Sequence, residues 1–214
     1  MADPSLFRLR VVFRKAGRLC QLSHLEIART LERIVRRAGL PYAVTQGFSP
    51  HMKISFGSAL PVGVAGAREF FDLFLVSYVR PASALEAFRQ ASPADLAPLA
   101  CTYVAASAPA ASVAFPISTY EACFDDDVQQ LALPEEITVV RKKKERTLVV
   151  DDYLVGTVEH DGRTMRFSLE AKPTGSLRPD ALIREALRQH PSLVLTSLTR
   201  IQQADPLGNV VFSD

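Results

Sequence analysis

Polar and small residues between Val44 and Gly63 form the stretch of this chain whose residue types could do chemistry. The stretch reads VTQGFSPHMKISFGSALPVG and contains three glycines and two prolines. Glycine and proline set backbone angles that other residues adopt at a cost, so the stretch is suited to holding a shaped loop. Within it, the candidate ligand-binding residues are Gln46, Gly47, Ser49, His51, Lys53 and Ser55.

His51 and Lys53 are two residues apart, so in an extended chain their side chains point to the same side. Ser49 and Ser55 continue this same-side series. The series predicts a site for an anion or a ribose. The alternative is an ordinary loop that folds back on the end of a helix.

A helix that precedes this stretch carries a row of arginines. Ser23 and Glu26 form a capping-box pattern, which predicts a helix that runs to about Ala38, with Gly39 at its end. Its apolar residues recur on one face, and the opposite face carries Arg29, Arg33 and Arg36, with Arg37 adjacent. Like charges at this spacing repel, which favours an anion-binding face. The alternative is that the late arginines complement the helix dipole.

His24 follows the predicted cap directly and lies in the first turn of the helix. An imidazole there could contact an anionic ligand or act as an acid or base, because its ordinary pKa is near neutrality. It could equally be a packed residue at the junction between strand and helix. Paired with His51, it would give a metal-independent acid–base pair for RNA cleavage.

Several other classes of site are disfavoured by what the sequence lacks. It contains no GxxxxGK[ST] or GxGxxG phosphate-binding pattern, no GxSxG elbow and no C-x-x-C pair. Asp125, Asp126 and Asp127 are consecutive, so their side chains cannot all converge on a metal ion. We therefore expect no metal and no cofactor. The basic run RKKKER at 141–146 could contact a nucleic-acid backbone or be a solvated strand edge.

Composition and charge limit the class of protein. The 214 residues are 48% hydrophobic, which is ample for a packed core. Residues 1–56 carry ten Lys or Arg and three Asp or Glu, within a net charge of only +2. No apolar run is long enough to span a membrane, and the start of the sequence has no secretory pattern. The three widely spaced cysteines fit a reducing compartment, so a cytoplasmic location is expected.

The elements that would position these residues follow the order β-α-β-β-α-β in the first half of the chain. Strands are predicted at Leu6–Phe13, Lys53–Phe56, Glu69–Val76 and Leu99–Ala105, with helices at 24–38 and 83–90. Residues 105–114 are small and include proline, which indicates a linker. The order then repeats less clearly, with an acidic and possibly helical connection at Asp125–Leu133. The predicted fold is α+β, with two tandem ferredoxin-like modules, 1–106 and 115–214, built on antiparallel sheets.

The assembled motifs resemble the radical-SAM-linked domain of unknown function. The resemblance rests on SHLE, RRAGLP, QGFSPHMKISF and LPVG in this order, and this chain has Met52 where members commonly have proline. It implies a radical-SAM protein as partner and a substrate that is RNA or a translation component. It implies no catalytic mechanism.

Together these observations predict a non-catalytic accessory protein that binds a substrate for a radical-SAM enzyme. Two other functions are compatible with the sequence. The first is RNA processing by His24 and His51, and the second is a purely protein-binding subunit that stabilises the enzyme.

Overall fold

The computed structural model describes residues 5–129, 131–141 and 144–212, apart from the side chains of 140, 141 and 144. The architecture is mixed α/β, with largely antiparallel sheet and few helices. Two compact units divide the chain. The first contains the chain up to Phe115 and the segment that begins at Val210, and the second is Pro116–Asn209. Within the described residues, no helix has both the length and the apolar character needed to cross a membrane.

The first unit has the predicted order of elements. These are β1 (Phe7–Lys15), α1 (His24–Arg37), β2 (Ile54–Phe56), β3 (Ala65–Leu75), α2 (Pro81–Ala91), β4 (Pro98–Tyr103) and a short α3 (Ala111–Ala114). The strands lie in the order β4-β1-β3-β2, and every neighbouring pair is antiparallel. Residues 107–115 and the segment from Val210 lie in this unit, outside the first predicted module, 1–106.

The start of α1 confirms the capping box. The Ser23 amide donates to Glu26 Oε2 at 2.8 Å, and the Glu26 amide donates to Ser23 Oγ at 3.4 Å. Two backbone donors that a helix start leaves without partners are thereby satisfied. The helix ends at Arg37, and Gly39 has a φ of +66°, a conformation that favours glycine.

The main core of the first unit lies between its sheet and the two long helices. Leu9, Val11 and Phe71 project from the sheet, and Leu31 of α1 and Phe88 of α2 pack in the same cluster. Each of these side chains is at most 2% exposed. The alternation along β1 and β3 therefore assigns one face of the sheet to the helices.

The opposite face of this sheet is covered by the residues that follow β4. Val12 and Phe70 pack with Ala111 of α3 and with Val211. This face also buries three charged residues, namely Arg8, Arg10 and Asp72. Residues predicted to be a linker thus close the back of the sheet.

In the second unit, five strands precede the long helix. They are β5 (Ile117–Phe124), β6 (Glu136–Arg141), β7 (Lys144–Val149), β8 (Leu154–Asp161) and β9 (Thr164–Glu170), followed by α4 (Pro179–Ala186) and β10 (Leu195–Ala204). Of the six strands β5 to β10, four lie in the order β10-β5-β9-β8, while β6 and β7 form a separate two-stranded sheet. The described pairs are all antiparallel. A hairpin at Asp161-Gly162 joins β8 to β9.

The prediction of a second β-α-β-β-α-β module was wrong, because the described part of Asp125–Leu133 contains no helix. The aspartates there accept hydrogen bonds from backbone amides. Asp126 accepts from Asp127, Asp127 accepts from Gln129, and Asp125 accepts from the distant Val194. Such bonds stabilise turns at the expense of a helix. Of the basic run at 141–146, Lys142 and Lys143 lie outside the described residues, so its proposed role stays a prediction.

Candidate functional site

The arginines of α1 form a solvent-exposed face, as predicted. Arg29, Arg33, Arg36 and Arg37 are all exposed, because the buried face of the helix is taken by its apolar residues. Arg36 contacts Glu32 at 3.4 Å. The other three form no ion pair with any residue that the structure describes. Their charge is therefore directed to solvent or to a ligand.

The chain that follows this face contains no acidic residue for a long distance. Between Arg33 and Arg68 there is not one Asp or Glu. The basic residues of this segment, hereafter the acid-free segment, are Arg33, Arg36, Arg37, Lys53 and Arg68. The positive potential near them is not cancelled by the segment itself, which favours an anionic partner.

The predicted loop is the tip of a narrow hairpin. Val44 and Met52 form a β-bridge, the Thr45 amide donates to the His51 carbonyl at 2.7 Å, and the His51 amide donates to Thr45 Oγ1 at 3.0 Å. Gly47 has a φ of +134°, which favours glycine at this position. Every residue from Val44 to His51 is exposed, including the predicted ligands Gln46, Gly47, Ser49 and His51.

Lys53 and Ser55 lie on the sheet face opposite α1. The Lys53 ammonium lies 5.1 Å from the centre of the Phe74 ring, and Ser55 is paired with Asp72. Met52, by contrast, is 5% exposed and belongs to the core cluster beneath the helices. Lys53 and Ser55 therefore lie on the face opposite the one that Met52 occupies.

His24 lies on the helix side of the sheet. Its ring contacts Phe56 edge-on, with 5.6 Å between ring centres. From the sequence, His24 and the Arg29, Arg33 and Arg36 face were possible neighbours of the loop at Gln46–Ser55. In the structure, Lys53 and Ser55 lie on the sheet face opposite α1. Whether each set binds an anion stays a prediction. Whether His24 and His51 act as an acid–base pair also stays a prediction.

His24 instead lines a small cavity of about 30 Å³ in the first unit. Its apolar walls are Phe13, Ile27, Phe56, Leu60 and Phe70, and its polar lining includes Lys15, Ser58 and Glu69. Lys15 and Glu69 are only 3% and 6% exposed, and Lys15 Nζ donates to the Leu22 carbonyl at 3.3 Å. A cavity of this size holds about two or three waters, so it cannot enclose a nucleotide.

Sequence reasoning missed the three polar residues that share this cavity with His24. Lys15 and Glu69 end and begin strongly apolar strand segments, a position in which a charge is ordinarily read as the solvated end of the strand. Gly57 and Gly66, which lie close in sequence to the residues of this cavity, were a better signal that the chain is closely packed here. A Cβ on Gly57 would lie 2.8 Å from the Phe70 ring, and one on Gly66 would lie 2.4 Å from Glu69 Cγ. Neither position has room for a side chain.

Covalent and metal chemistry receive no support from the described residues. No three His, Cys, Asp or Glu side chains among them come close enough to hold a metal ion. Cys20, Cys101 and Cys123 are free thiols. Burial raises the pKa of Cys101 to about 12, so this thiol remains protonated and unreactive near neutral pH.

A model of one protein family matches residues 8–192 of the chain. The protein belongs to that family, which is described as "Uncharacterized protein conserved in bacteria (DUF2344)". The match includes α1, the hairpin and the cavity. No curated protein matches the chain. Membership therefore carries no established activity for this DUF2344 protein.

Among solved structures, this DUF2344 protein is similar to a chain of "Crystal Structure of a Cbf5-Nop10-Gar1 Complex". The identity is 16% and the TM-score is 0.43. The alignment covers 91% of the DUF2344 protein and 48% of the other chain, so the protein spans about half the length of that chain. A likeness at this level does not identify a function.

Proposed function

We propose that this protein is a non-catalytic accessory protein that binds RNA, or a translation-related substrate, for a radical-SAM enzyme. The observation that carries the RNA half is the exposed arginine face of α1 at the start of the acid-free segment. The radical-SAM half is supported by the ordered motifs SHLE, RRAGLP, QGFSPHMKISF and LPVG. Both halves are testable separately.

The arginine face has the properties that phosphate binding needs. A guanidinium is always charged and can donate two parallel hydrogen bonds to a phosphate. Arg29, Arg33 and Arg37 are exposed and form no ion pair within the described chain, so binding need not break one first. Each phosphate that they neutralise releases counterions, which makes the affinity dependent on salt.

RNA cleavage is not proposed. It would need two imidazoles that act together on one substrate, and the described ring contact of His24 is with Phe56. Substrate binding requires no such pair.

The test of RNA binding is fluorescence anisotropy with a labelled single-stranded RNA at salt concentrations from about 50 to 200 mM. Each phosphate contact contributes about −0.7 to the slope of log affinity against log salt for a single strand. Reversal of Arg29, Arg33 and Arg37 to Glu should weaken binding and make this slope shallower by about 2.

The matched control reverses three exposed arginines of the second unit, Arg163, Arg184 and Arg188, to Glu. It changes the net charge of the protein by the same amount. If the two triple variants lost RNA affinity equally, net charge alone would govern binding. If the wild type bound no RNA, the RNA half of the proposal would be wrong.

The test of the partner is affinity purification of the tagged native protein, followed by identification of the bound protein and RNA. The expected result is a radical-SAM enzyme that remains after RNase treatment. Recovery of the enzyme without any salt-dependent RNA binding would instead indicate a protein-interaction subunit.

A further inference from the structure

Phe48 at the hairpin tip is the most exposed large hydrophobic residue of the described chain. Its relative exposure is 111%, so the ring is in contact with solvent on both faces. It makes no ring contact with another described residue. Twelve phenylalanines occur in the sequence, and the next most exposed of them, Phe7, is 40% exposed and contacts the rings of Tyr78 and Tyr103.

The hairpin holds Phe48 away from the body of the first unit. Two hydrogen bonds between Thr45 and His51 join the two arms of the hairpin at the base of its tip. Gly47 turns the chain with its positive φ, and Pro50 restricts Ser49 to an extended conformation. A ring presented this way has already lost part of the backbone freedom that binding would otherwise remove.

The surroundings of the Phe48 ring favour one of two kinds of partner, a pocket in a protein or a single-stranded nucleic acid. An aromatic anchor for a protein pocket normally lies within a ring of contacts that exclude water. The nearest residues along the tip are Gln46, Gly47, Ser49 and Pro50, so the chain directly beside the ring contributes no second large apolar side chain. The tip also lies in the middle of the acid-free segment, close to His51 and Lys53. An isolated aromatic ring beside basic groups is the arrangement by which proteins stack on single-stranded nucleic acid.

We infer that Phe48 is a stacking platform for an unpaired base of a single-stranded RNA. The inference rests on the proposed RNA-binding function and narrows its substrate class. The bases of an A-form duplex are stacked on each other along the helix, so a hairpin tip cannot reach their faces. Basic residues then supply affinity for any RNA, whereas Phe48 supplies the preference for single strands.

The chain contains no tryptophan, which permits a direct test. The variant Phe48→Trp places the sole tryptophan of the protein at the tip. Its fluorescence should be quenched when an unstructured 12-nucleotide RNA binds, because indole stacks on the base. A blunt duplex of the same sequence should bind through its phosphates without quenching it.

Two controls separate stacking from binding. Tyr78→Trp places a sole tryptophan at another site of the first unit, at a residue that is 58% exposed, and its fluorescence should not respond to the single strand. Anisotropy with labelled RNA measures binding independently. In that assay Phe48→Ala should weaken single-strand binding roughly 5- to 150-fold and change duplex binding less than about 2-fold. Phe48→Tyr should restore most of the lost affinity.

The outcomes distinguish this inference from the function on which it rests. If the arginine variants lose affinity but Phe48→Ala binds single strands as well as the wild type, the stacking role is wrong and RNA binding stands. Equal losses for single strand and duplex also overturn the stacking role. If no RNA binds and the radical-SAM enzyme instead shields the fluorophore of the Phe48→Trp variant, Phe48 is a protein anchor, and the stacking role and the RNA half of the proposed function both fail.

Discussion

The first unit contains two sets of arginines that differ in burial and in their ion-pair partners. Arg8 and Arg10 are each 5% exposed and converge on Asp72, which is fully buried. Arg29, Arg33 and Arg37 on α1 are exposed and have no carboxylate partner among the described residues. The comparison shows that burial, rather than residue type, decides whether the chain itself must neutralise a charge. A buried charge must be neutralised by its own chain, whereas an exposed one is left for a partner.

The buried set is closely bonded. Asp72 accepts from Arg8 Nη2 at 2.6 Å and from Arg10 Nε at 2.7 Å. The Arg8 Nη1 and Nη2 atoms also donate to the carbonyls of Ala108 and Pro109, at 2.6 and 2.7 Å. Arg10 lies over the rings of Phe70 and Phe115, at 4.8 and 5.1 Å. Removal of Asp72 would leave both guanidiniums buried without their counter-charge.

The substitution Asp72→Ala should have the largest effect, because it leaves two buried guanidiniums without a carboxylate. We expect a loss of about 3–5 kcal/mol in the free energy of unfolding, measured by urea denaturation. Asp180→Ala removes the exposed ion pair with Arg178 and should cost at most about 1 kcal/mol. If the two variants were equally stable, the contrast between buried and exposed pairs would be lost.

A smaller effect is expected for Arg10→Met. Asp72 keeps Arg8 as its partner in this variant, and methionine retains part of the packing against Phe70. The loss of charged hydrogen bonds should cost about 1.5–3 kcal/mol, again measured by urea denaturation. A cost as large as that of Asp72→Ala would show that the two guanidiniums act only as a pair.

The exposed carboxylate of Glu26 makes a contribution to stability that depends on pH, in contrast to the buried Asp72. Hydrogen bonds from Ser23 hold the pKa of this carboxyl below its ordinary value of 4.5. Because the pKa is lowered in the folded state, the stabilisation is present above pH 4.5 and disappears as the pH falls through the lowered pKa. The difference in melting temperature between wild type and Glu26→Gln should therefore shrink on acidification. A difference that is constant with pH would contradict this assignment.

The smallest effect on stability is expected at the exposed arginines. Arg33→Ala should change the free energy of unfolding by no more than about 0.5 kcal/mol, because the side chain has no ion-pair partner to lose. The same variant should weaken RNA binding measurably by anisotropy. A variant that was destabilised while its RNA affinity was unchanged would assign Arg33 to the structural set.

Features that depend on neighbouring residues were predictable from the sequence. Ser23 and Glu26 identified the start of α1, and Gly39 its end, because capping involves residues within one turn. The alternation of His51, Lys53 and Ser55 was likewise visible. Which face of the sheet that series occupies was not visible, since it depends on the pairing of β2 with β3 and on what covers each face.

Features that depend on distant residues could not be predicted. The partners Arg8 and Asp72 are 64 residues apart, and nothing in the pattern of either strand pairs one with the other. Lys15 and Glu69 line one cavity because β1 pairs with β3, which places Phe13 opposite Glu69 and Lys15 opposite Gly66. In the second unit, the sequence of the acidic run at Asp125 was compatible with a helix. In the structure, Asp125 instead accepts a hydrogen bond from the amide of the distant Val194.

The closure of the first unit's sheet by Val211 and Phe212 has a consequence for synthesis on the ribosome. Val12 and Phe70 emerge early, yet two of the residues that pack with them are made only after the whole second unit, Pro116–Asn209. At about 5–20 residues per second, that delay is roughly 5–20 s. During this interval the back of the sheet lacks part of its apolar cover. The nascent chain therefore passes through a period in which one apolar face of the first unit waits for the last residues of its cover to be synthesised.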